Sequence, residues 1–328
     1  MIEVVSARAA PDRWRVFVLE NAPVLSIALF FLLVCGFFTV TAEAFLSEGN
    51  VLNLLRQSAP ILIVAVAMTF VITTGGIDLS IGSTLALINA LCAIAIGAGI
   101  AWPLVIVLML VAGALIGAIN GYFTAYERIP AFIVTLASLS AVRGFALLLT
   151  KGFSIPIAAS GFVELGRGWV FGVPLPALIA VVIALIAFIV LRATRYGRYV
   201  TGIGANREAV RRAGVNVKRL ELTVYVLTGV AAALGGVIIA ARLGSGSSNA
   251  GVGFELDVIA AVVLGGTNLF GGRGTIIGTV LGALTIAVIG NGLILAHISP
   301  YFTQIVAGVI ILTAVWLNTR LFQPARRG

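Results

Sequence analysis

Long, uninterrupted apolar runs recur along the whole chain and are separated by short polar segments. An α-helix needs about 20 such residues to cross the roughly 30 Å of hydrocarbon in a bilayer. The runs do not alternate between apolar and polar positions, as the strands of a membrane β-barrel do. The pattern predicts an all-α polytopic membrane protein with ten spans, at residues 24–42, 58–74, 81–99, 103–125, 129–149, 173–192, 222–242, 256–270, 275–295 and 302–320.

The composition supports a membrane protein. Of the 328 residues, 60% are hydrophobic and only 10% are charged, and the mean hydropathy is +1.15. A soluble domain of this length has too little interior to bury so much apolar surface. The first apolar run lacks a small-residue cleavage site, so we expect a retained helix and not a signal peptide. We therefore treat residues 1–328 as a single transmembrane domain.

The basic residues indicate the orientation of the chain. If the N-terminus lies inside, 16 of the 21 Lys and Arg residues fall on the inner side. Such a bias is typical of cytoplasmic loops and places both termini in the cytoplasm. The net charge of +9 then has a membrane explanation and does not indicate nucleic-acid binding. The predicted cytoplasmic segments are the N-terminal tail 1–23, the loop 193–221 and the C-terminal tail 321–328.

The two halves of the chain share weak internal matches. The stretch GIDLSIGSTLAL lines up with GFELDVIAAVVL, which sets Asp78 on Glu255. The stretch NGYFTAYERIPAF lines up with NGLILAHISPYF, which sets Asn120 on Asn291. In the predicted topology, the members of each pair lie on opposite sides of the membrane. The matches therefore predict an inverted repeat of spans 2–5 and 7–10, a feature typical of transporters.

Acidic and hydroxyl residues stand at the starts of two predicted spans. Asp78 or Ser80 can cap the N-terminus of span 3, and Glu255 and Asp257 can do the same for span 8, because free backbone N–H groups there need acceptors. The functional alternative is that polar ends of broken helices line a substrate path. A neutral, hydroxyl-rich solute needs donors and acceptors but no counter-charge, so both interpretations can hold together.

Few other polar residues lie within spans. Asn89 in span 3 and Thr135 in span 5 are candidates for the same path. For Asn291, we expect a hydrogen bond to a neighbouring helix. Arg143 is expected to reach the outer surface or to pair with a carboxylate. Glycines at four-residue spacing in spans 4 and 9 predict close helix packing.

The loop between spans 6 and 7 reads RATRYGRYVTGIGANREAVRRAGVNVKRLE. Asn206 can cap a short helix with Glu208 in its first turn, and Gly214 can end it. Such a short helix is unstable alone, so we expect it to dock on a partner. Ala209 and Ala213 are four residues apart and share one face. The alternative is a basic loop that lies on anionic headgroups.

The Glu-Ala pair and the following Gly of this loop resemble the coupling helix of ABC importer permeases. The whole chain resembles the permease of the ribose, xylose and arabinose type of bacterial sugar importer. Val210 stands where the family helix usually has a second alanine, a change that we expect to alter the volume of the coupling face. The resemblance covers residues 50 to 315 and rests on TGGIDLSIGS, NGYFTAYERIPAFIVTLASLSAVRG, GANREAVRRAGVNV and GFELDVIAAVVLGGTNLFGGRGTIIGTVLGAL.

The resemblance implies a permease subunit in the bacterial inner membrane that moves a pentose-like sugar or a related small polar solute by alternating access. It implies a second permease chain, as a homodimer or close heterodimer. It also implies an ABC ATPase with two nucleotide-binding domains and a periplasmic sugar-binding protein.

Missing motifs limit what the chain itself can do. No GxxxxGK[ST] phosphate loop occurs, so we expect ATP and Mg²⁺ on the partner ATPase, with no cofactor and no enzymatic activity in this chain. Cys35, Cys92 and His297 form no metal-binding pattern. The main alternative is a secondary active transporter driven by protons or sodium, which would need ionisable residues deep within spans. A membrane-embedded enzyme would need a catalytic cluster, and a channel would need a ring of selectivity groups.

Overall fold

The computed structural model describes residues 13–299, 301–302, 305–306, 308–309, 312–313 and 316. Its helices are α1 (Arg13–Thr41), α2 (Glu48–Thr73), α3 (Ile81–Gly97), α4 (Trp102–Ala125), α5 (Ala131–Thr150), α6 (Ser160–Arg167), α7 (Leu175–Ala193), α8 (Arg195–Arg212), α9 (Val217–Leu243), α10 (Phe254–Leu264) and α11 (Ile276–Leu295). Short strands β1 (Ile155–Pro156) and β4 (Ser245–Gly246) pair antiparallel, as do β2 (Trp169–Val170) and β3 (Val173–Pro174).

Polar side chains and glycine define several helix ends. Ser47, Asn216 and Thr275 each accept the backbone N–H three residues ahead and so cap α2, α9 and α11. Such caps satisfy N–H groups that have no partner within the helix. At the other end of α9, Gly244 takes the left-handed conformation, with φ of 67°, which stops the helix at little steric cost.

Seven helices among the described residues are long and apolar enough to cross a membrane: α1, α2, α4, α5, α7, α9 and α11. The 17-residue α3 is somewhat shorter. The predicted eighth span, 256–270, is wrong as a crossing helix. There α10 has only 11 residues, about 16 Å at 1.5 Å per residue. It ends because Gly265 and Gly266 follow, the latter with φ of 85°.

The outer limits of the predicted spans also differ from the structure. Helix α1 begins at Arg13, within the predicted tail 1–23, and α2 begins at Glu48, before the predicted start at residue 58. The polar residues at these starts are typical of a loop, but the backbone there is already helical. The predicted tenth span, 302–320, and the C-terminal tail lie largely outside the described residues, so the tenth span stays a prediction.

The helices form a bundle around α2 and α9. Helices α3, α4, α7, α10 and α11 pack against one or both of these two, while α1 packs on α11 and α5 packs on α3. The apolar window of α2 is 83% buried, whereas those of α1 and α5 are only 11% buried. The exposed faces of the outer helices carry Leu, Phe and Val. In a multi-pass protein such apolar surfaces face lipid.

Close packing of α4 on α9 depends on glycine, as the spacing in span 4 predicts. A side chain at Gly113 would lie 2.5 Å from the Gly229 carbonyl oxygen, and one at Gly117 would overlap the carbonyl of Tyr225. Only glycine lets the two backbones approach so closely. The predicted helix-to-helix bond of Asn291 is also confirmed: its amide and that of Asn50 exchange hydrogen bonds of 2.9 and 3.0 Å.

The connection between α5 and α7 was not predicted to contain structure, yet it forms a compact cap. Helix α6 packs against α9 and α7, with Phe162 fully buried. Strands β2 and β3 form a hairpin next to it, and β1 pairs with β4 after the end of α9. This cap closes the end of the bundle opposite α8.

Candidate functional site

Two interruptions of the helical bundle lie within or next to the segments that carry the predicted acidic site residues. The first interruption is residues 74–80, between α2 and α3, and the second is residues 244–253, between α9 and α10. Asp78 lies in the first and is only 1% exposed. A buried carboxylate is costly unless hydrogen bonds satisfy it, so its partners are informative.

Asp78 anchors a polar cluster at the start of α3. Its Oδ1 atom accepts the Ser80 backbone N–H at 2.9 Å and the Ser80 hydroxyl at 2.6 Å. The Ser80 hydroxyl oxygen in turn accepts the side-chain amide of Asn120, from α4, at 2.8 Å. Ser80 occupies the N-cap position of α3 but makes no side-chain cap bond. Of the two predicted capping residues, Asp78 therefore binds the backbone and Ser80 does not.

Thr135 and Asn120 complete this cluster. The Thr135 hydroxyl lies 2.9 Å from the Ala131 carbonyl oxygen and 3.3 Å from that of Ile77, next to Asp78. The sequence places Asn120 in the predicted internal repeat and does not predict it as a site residue. Its Oδ1 atom is buried and has no hydrogen-bond partner among the described residues. The sequence feature that could have identified it is a single amide side chain within an otherwise apolar span.

Asn89 lies away from the Asp78 cluster, and both its side-chain nitrogen and its side-chain oxygen make hydrogen bonds. Its Nδ2 donates to the Gly236 carbonyl at 3.2 Å, and its Oδ1 accepts the Ser247 N–H at 2.6 Å. The side chain therefore fastens α3 to α9 and to the second interruption. The structure does not bring it to the Asp78 cluster.

Glu255 and Asp257 do not cap α10, contrary to the sequence expectation. Gly253 is the N-cap, with φ of 79°, and no side chain makes a cap bond there. Both acids do lie in the first turn, where the helix dipole favours negative charge. The Oε2 atom of Glu255 is buried without a hydrogen-bond partner in the described part of the chain. It lies against Gly82, where a side chain would overlap it.

Arg143 holds the second interruption in place. Its Nη1 donates to the carbonyls of Ser248 and Ala250 at 2.7 and 2.9 Å, and its Nη2 donates to that of Gly251 at 3.2 Å. Glu255 also lies close enough to interact with the charge of Arg143, so the expected approach to the surface or to a carboxylate stays a prediction. Three backbone carbonyls in an irregular segment need donors, and a planar guanidinium with five N–H groups can supply them.

The predicted short helix between α7 and α9 exists as the second half of α8. Asn206 has non-helical backbone angles, φ of −159° and ψ of 94°, and its Oδ1 accepts the Ala209 N–H at 3.0 Å. It therefore caps a new helical turn, as predicted. Gly214, with φ of 81°, follows the last helical residue, as expected for a helix stop. We refer to residues 206–214 as the coupling segment.

Ion pairs stabilise the coupling segment. The Glu208 carboxylate accepts hydrogen bonds from Arg211, at 2.7 and 2.6 Å, and from Arg212, at 3.0 Å. Hydrogen bonds to Glu208 lower its pKa to about 2; the bonds from Arg211 have the largest effect, and the bond from Arg212 has the next largest.

Ala209 and Ala213 are exposed and so available to a partner. Val210 is half-buried, and a side chain on Gly202 would lie 2.9 Å from its Cγ2 atom. Its effect on the volume of the coupling face stays a prediction.

The coupling segment is joined to the bundle core through glycines. Gly204, just before the kink, lies so close to the Thr73 carbonyl and the Gly272 N–H that a side chain would overlap both. A side chain on Gly271 would lie 3.0 Å from the Gly204 Cα and 2.9 Å from the Gly75 nitrogen. Three segments therefore contact one another through backbone atoms with no side chain between them: the end of α2, the kink of α8 and the loop after α10. We call this contact the glycine junction.

Comparisons with known proteins agree with this architecture. Residues 50–315 match the family described as branched-chain amino acid transport system / permease component. The chain is 42% identical over 283 residues to the ribose import permease protein RbsC of Escherichia coli K12, covering 84% of this chain and 87% of the relative.

Two further relatives are similar over the same region. RbsC of Bacillus subtilis is 42% identical over 284 residues, covering 86% of this chain and 88% of the relative. The xylose transport system permease protein XylH of E. coli K12 is 35% identical over 346 aligned positions, covering 86% and 88%. No solved structure matches the chain. The chain thus belongs to the branched-chain amino acid transport system / permease component family and is a multi-pass protein of the inner membrane.

Proposed function

We propose that this chain is the membrane permease subunit of an ABC importer for a pentose-like sugar or a related small polar solute. The observation that carries the proposal is the coupling segment, a capped helical turn that projects an exposed alanine face from the bundle. The names of the relatives, ribose import permease and xylose transport system permease, supply the substrate class. The relatives named above do not support the alternative, a secondary transporter driven by protons or sodium.

The coupling segment is proposed to dock in a groove of the partner ATPase. Asn206 caps the start of the helix, Glu208 forms ion pairs with Arg211 and Arg212 on the same helix, and Gly214 lies just after its end. Ala209 and Ala213 are small enough for close contact with a partner surface. Because ATP and Mg²⁺ are bound by the ATPase in this proposal, energy enters the permease as a displacement of this helix.

Helix packing supports the proposed inverted repeat. Helices α2, α3 and α4 correspond in order to α9, α10 and α11. Helix α4 packs along α9 and α11 packs along α2, while α3 packs on α9 and α10 on α2. Each contact thus has a counterpart when the two sets are exchanged. A pair of related halves of this kind can alternate between inward-open and outward-open arrangements.

The substrate path is proposed to pass the two helix interruptions. Asp78, Ser80 and Thr135 lie at the first, and Glu255 at the second. The partnerless oxygen of Glu255 is an acceptor suited to a sugar hydroxyl, and a neutral sugar needs no counter-charge. Asn89 and Asp257 remain predictions for the path; the bonds that Asn89 makes to backbone favour a fastening role.

The end of the bundle that carries α8 is proposed to face the cytoplasm, together with both termini, because most Lys and Arg residues of the sequence belong to that side. A second permease chain, as a homodimer or close heterodimer, would complete the membrane part. An ABC ATPase with two nucleotide-binding domains would bind at the α8 end, and a periplasmic sugar-binding protein would bind at the opposite end.

Uptake by proteoliposomes tests the proposal. The chain is reconstituted with its ATPase and binding protein, and entry of labelled ribose and xylose is followed with ATP, with a non-hydrolysable analogue, or with an imposed proton or sodium gradient. The proposal expects uptake only with ATP and with the binding protein present. Uptake by the chain alone, driven by either ion gradient, would establish the alternative.

A further inference from the structure

A cavity with a mixed polar and apolar lining lies at the α8 end of the bundle, between the ends of α2, α4, α5 and α9. Its volume is about 280 Å³, near the lower limit of about 300 Å³ for small-molecule pockets. Gly75 and Gly76 form part of its wall, together with Pro130 and Ala131 at the start of α5. The wall is therefore continuous with the Asp78 cluster, which begins two residues beyond Gly76.

Two neighbouring hydroxyl groups line the cavity. Tyr225, from α9, is only 1% exposed, and both Tyr225 and Thr124 line the cavity. Their hydroxyl oxygens are buried, and the Thr124 hydroxyl is the side-chain neighbour of the Tyr225 hydroxyl. Neither has another hydrogen-bond partner in the described part of the chain. A hydroxyl can donate one hydrogen bond and accept two, so both groups keep capacity for a hydroxyl-bearing solute.

An ion pair forms part of the lining of the same cavity. Arg207, the first residue after the kink of α8, donates from Nε and Nη2 to both carboxylate oxygens of Glu221, at 2.7 and 2.8 Å. The Glu221 side chain, on α9, is only 12% exposed, and that of Arg207 is 42% exposed. Both residues line the cavity. This bidentate pair therefore joins the coupling segment to α9 beside the cavity.

We propose that this cavity holds the neutral, polyhydroxylated solute just before its release, and that the Arg207–Glu221 ion pair is the latch of the cavity. The inference rests on the proposed function, since it assigns the last holding site of that transport path. Tyr225 and Thr124 bind solute hydroxyls. Displacement of the coupling segment pulls Arg207 away from Glu221 and opens the mouth.

Thiol protection tests the holding site. Ala131→Cys is made in a chain carrying Cys35→Ser; Cys92 is kept because it is fully buried. In the assembled transporter, ribose or xylose should slow alkylation of the new thiol at least about threefold, because bound solute excludes the reagent from a pocket of this size. Arg219→Cys, exposed at the same end but outside the cavity, is the control and should show no protection. Unchanged alkylation at position 131 in every nucleotide state would refute the site.

A charge swap tests the latch. Arg207→Glu and Glu221→Arg each place like charges together and should raise the ATP hydrolysed per sugar imported at least about threefold, since like charges repel each other and hold the mouth open. The double variant restores the opposite charges and should return towards the wild-type ratio. Arg219→Glu, a charge reversal at an exposed position on α9, should leave the ratio unchanged. A double variant as defective as the single ones would refute the latch.

These results separate the inference from the function on which it rests. If wild-type uptake requires ATP but sugar gives no protection and the swap gives no recovery, the importer stands and the cavity assignment fails. If wild-type uptake follows an ion gradient without ATP, the proposed function itself fails.

Discussion

Gly204 lies directly against the carbonyl oxygen of Thr73, with no room for a side chain between the two segments. The kink that starts the coupling segment thereby touches the last residue of α2, and the Gly272 N–H donates to the same Thr73 carbonyl at 2.9 Å. Five residues beyond Thr73 stands Asp78. A movement of the coupling segment therefore has a short, rigid route to the polar cluster at the start of α3.

Gly204→Ala should disrupt that route. The added methyl group overlaps backbone atoms that cannot rotate away, and overpacking of this kind costs about 1–3 kcal/mol. We expect a lower unfolding temperature and a loss of most of the ATPase stimulation by sugar-loaded binding protein. Both are measured on the assembled transporter. Gly97→Ala is the matched control, since nothing lies within 4 Å of a side chain there; equal behaviour of the two variants would contradict the role of the glycine junction.

Asn206→Ala should loosen the start of the coupling segment. Loss of an N-cap side chain costs about 1 kcal/mol, so the Ala209 amide, which Asn206 now binds, should exchange with solvent about fivefold faster. Hydrogen exchange in nanodiscs measures this. Asn206→Asp retains an acceptor oxygen and should exchange like wild type. The cap has no such role if the alanine variant exchanges at the wild-type rate.

Glu208 should remain charged far below neutral pH. Its bonds to Arg211 and Arg212 lower its pKa from 4.5 to about 2. A group whose pKa is lower in the folded state stabilises that state above the unfolded pKa, and its contribution is lost as the pH falls from 4.5 through about 2. A carboxyl ¹³C titration should therefore give a midpoint near 2, and Arg211→Gln should move it upward. A wild-type midpoint at 4.5 or above would show that the ion pairs do not form.

Asp78→Asn should be much milder than Asp78→Leu. An asparagine oxygen can still accept the Ser80 N–H, so we expect uptake to fall by no more than about tenfold, a cost near 1.4 kcal/mol. Leucine leaves the buried N–H and hydroxyl of Ser80 without an acceptor and should abolish uptake. Labelled-sugar uptake by proteoliposomes measures both. Complete loss in Asp78→Asn would instead indicate that the charge itself is essential, as in an ion-coupled carrier.

Local patterns in the sequence were sufficient for much of this fold. Most spans follow from apolar length alone, because a bilayer imposes that length on each helix separately. The cap at Asn206 and the stop at Gly214 are equally local, since each is set by bonds within one turn. These features need no knowledge of the tertiary structure.

Features that depend on distant partners could not be predicted in the same way. Arg143 binds carbonyls more than 100 residues away in sequence, and Asn120 reaches Ser80 from another helix. The extent of α10 was overestimated because an apolar run does not distinguish a buried half-helix from a spanning one.

The most direct test of the central claim is ATPase stimulation in proteoliposomes that contain the permease, its ATPase and its binding protein. Wild type is compared with Glu208→Lys, and with Glu43→Lys as an equal charge change at an exposed site outside the coupling segment. The account predicts that sugar-loaded binding protein stimulates hydrolysis in wild type and in Glu43→Lys, and fails to do so in Glu208→Lys. Full stimulation in Glu208→Lys would contradict transmission through the coupling segment.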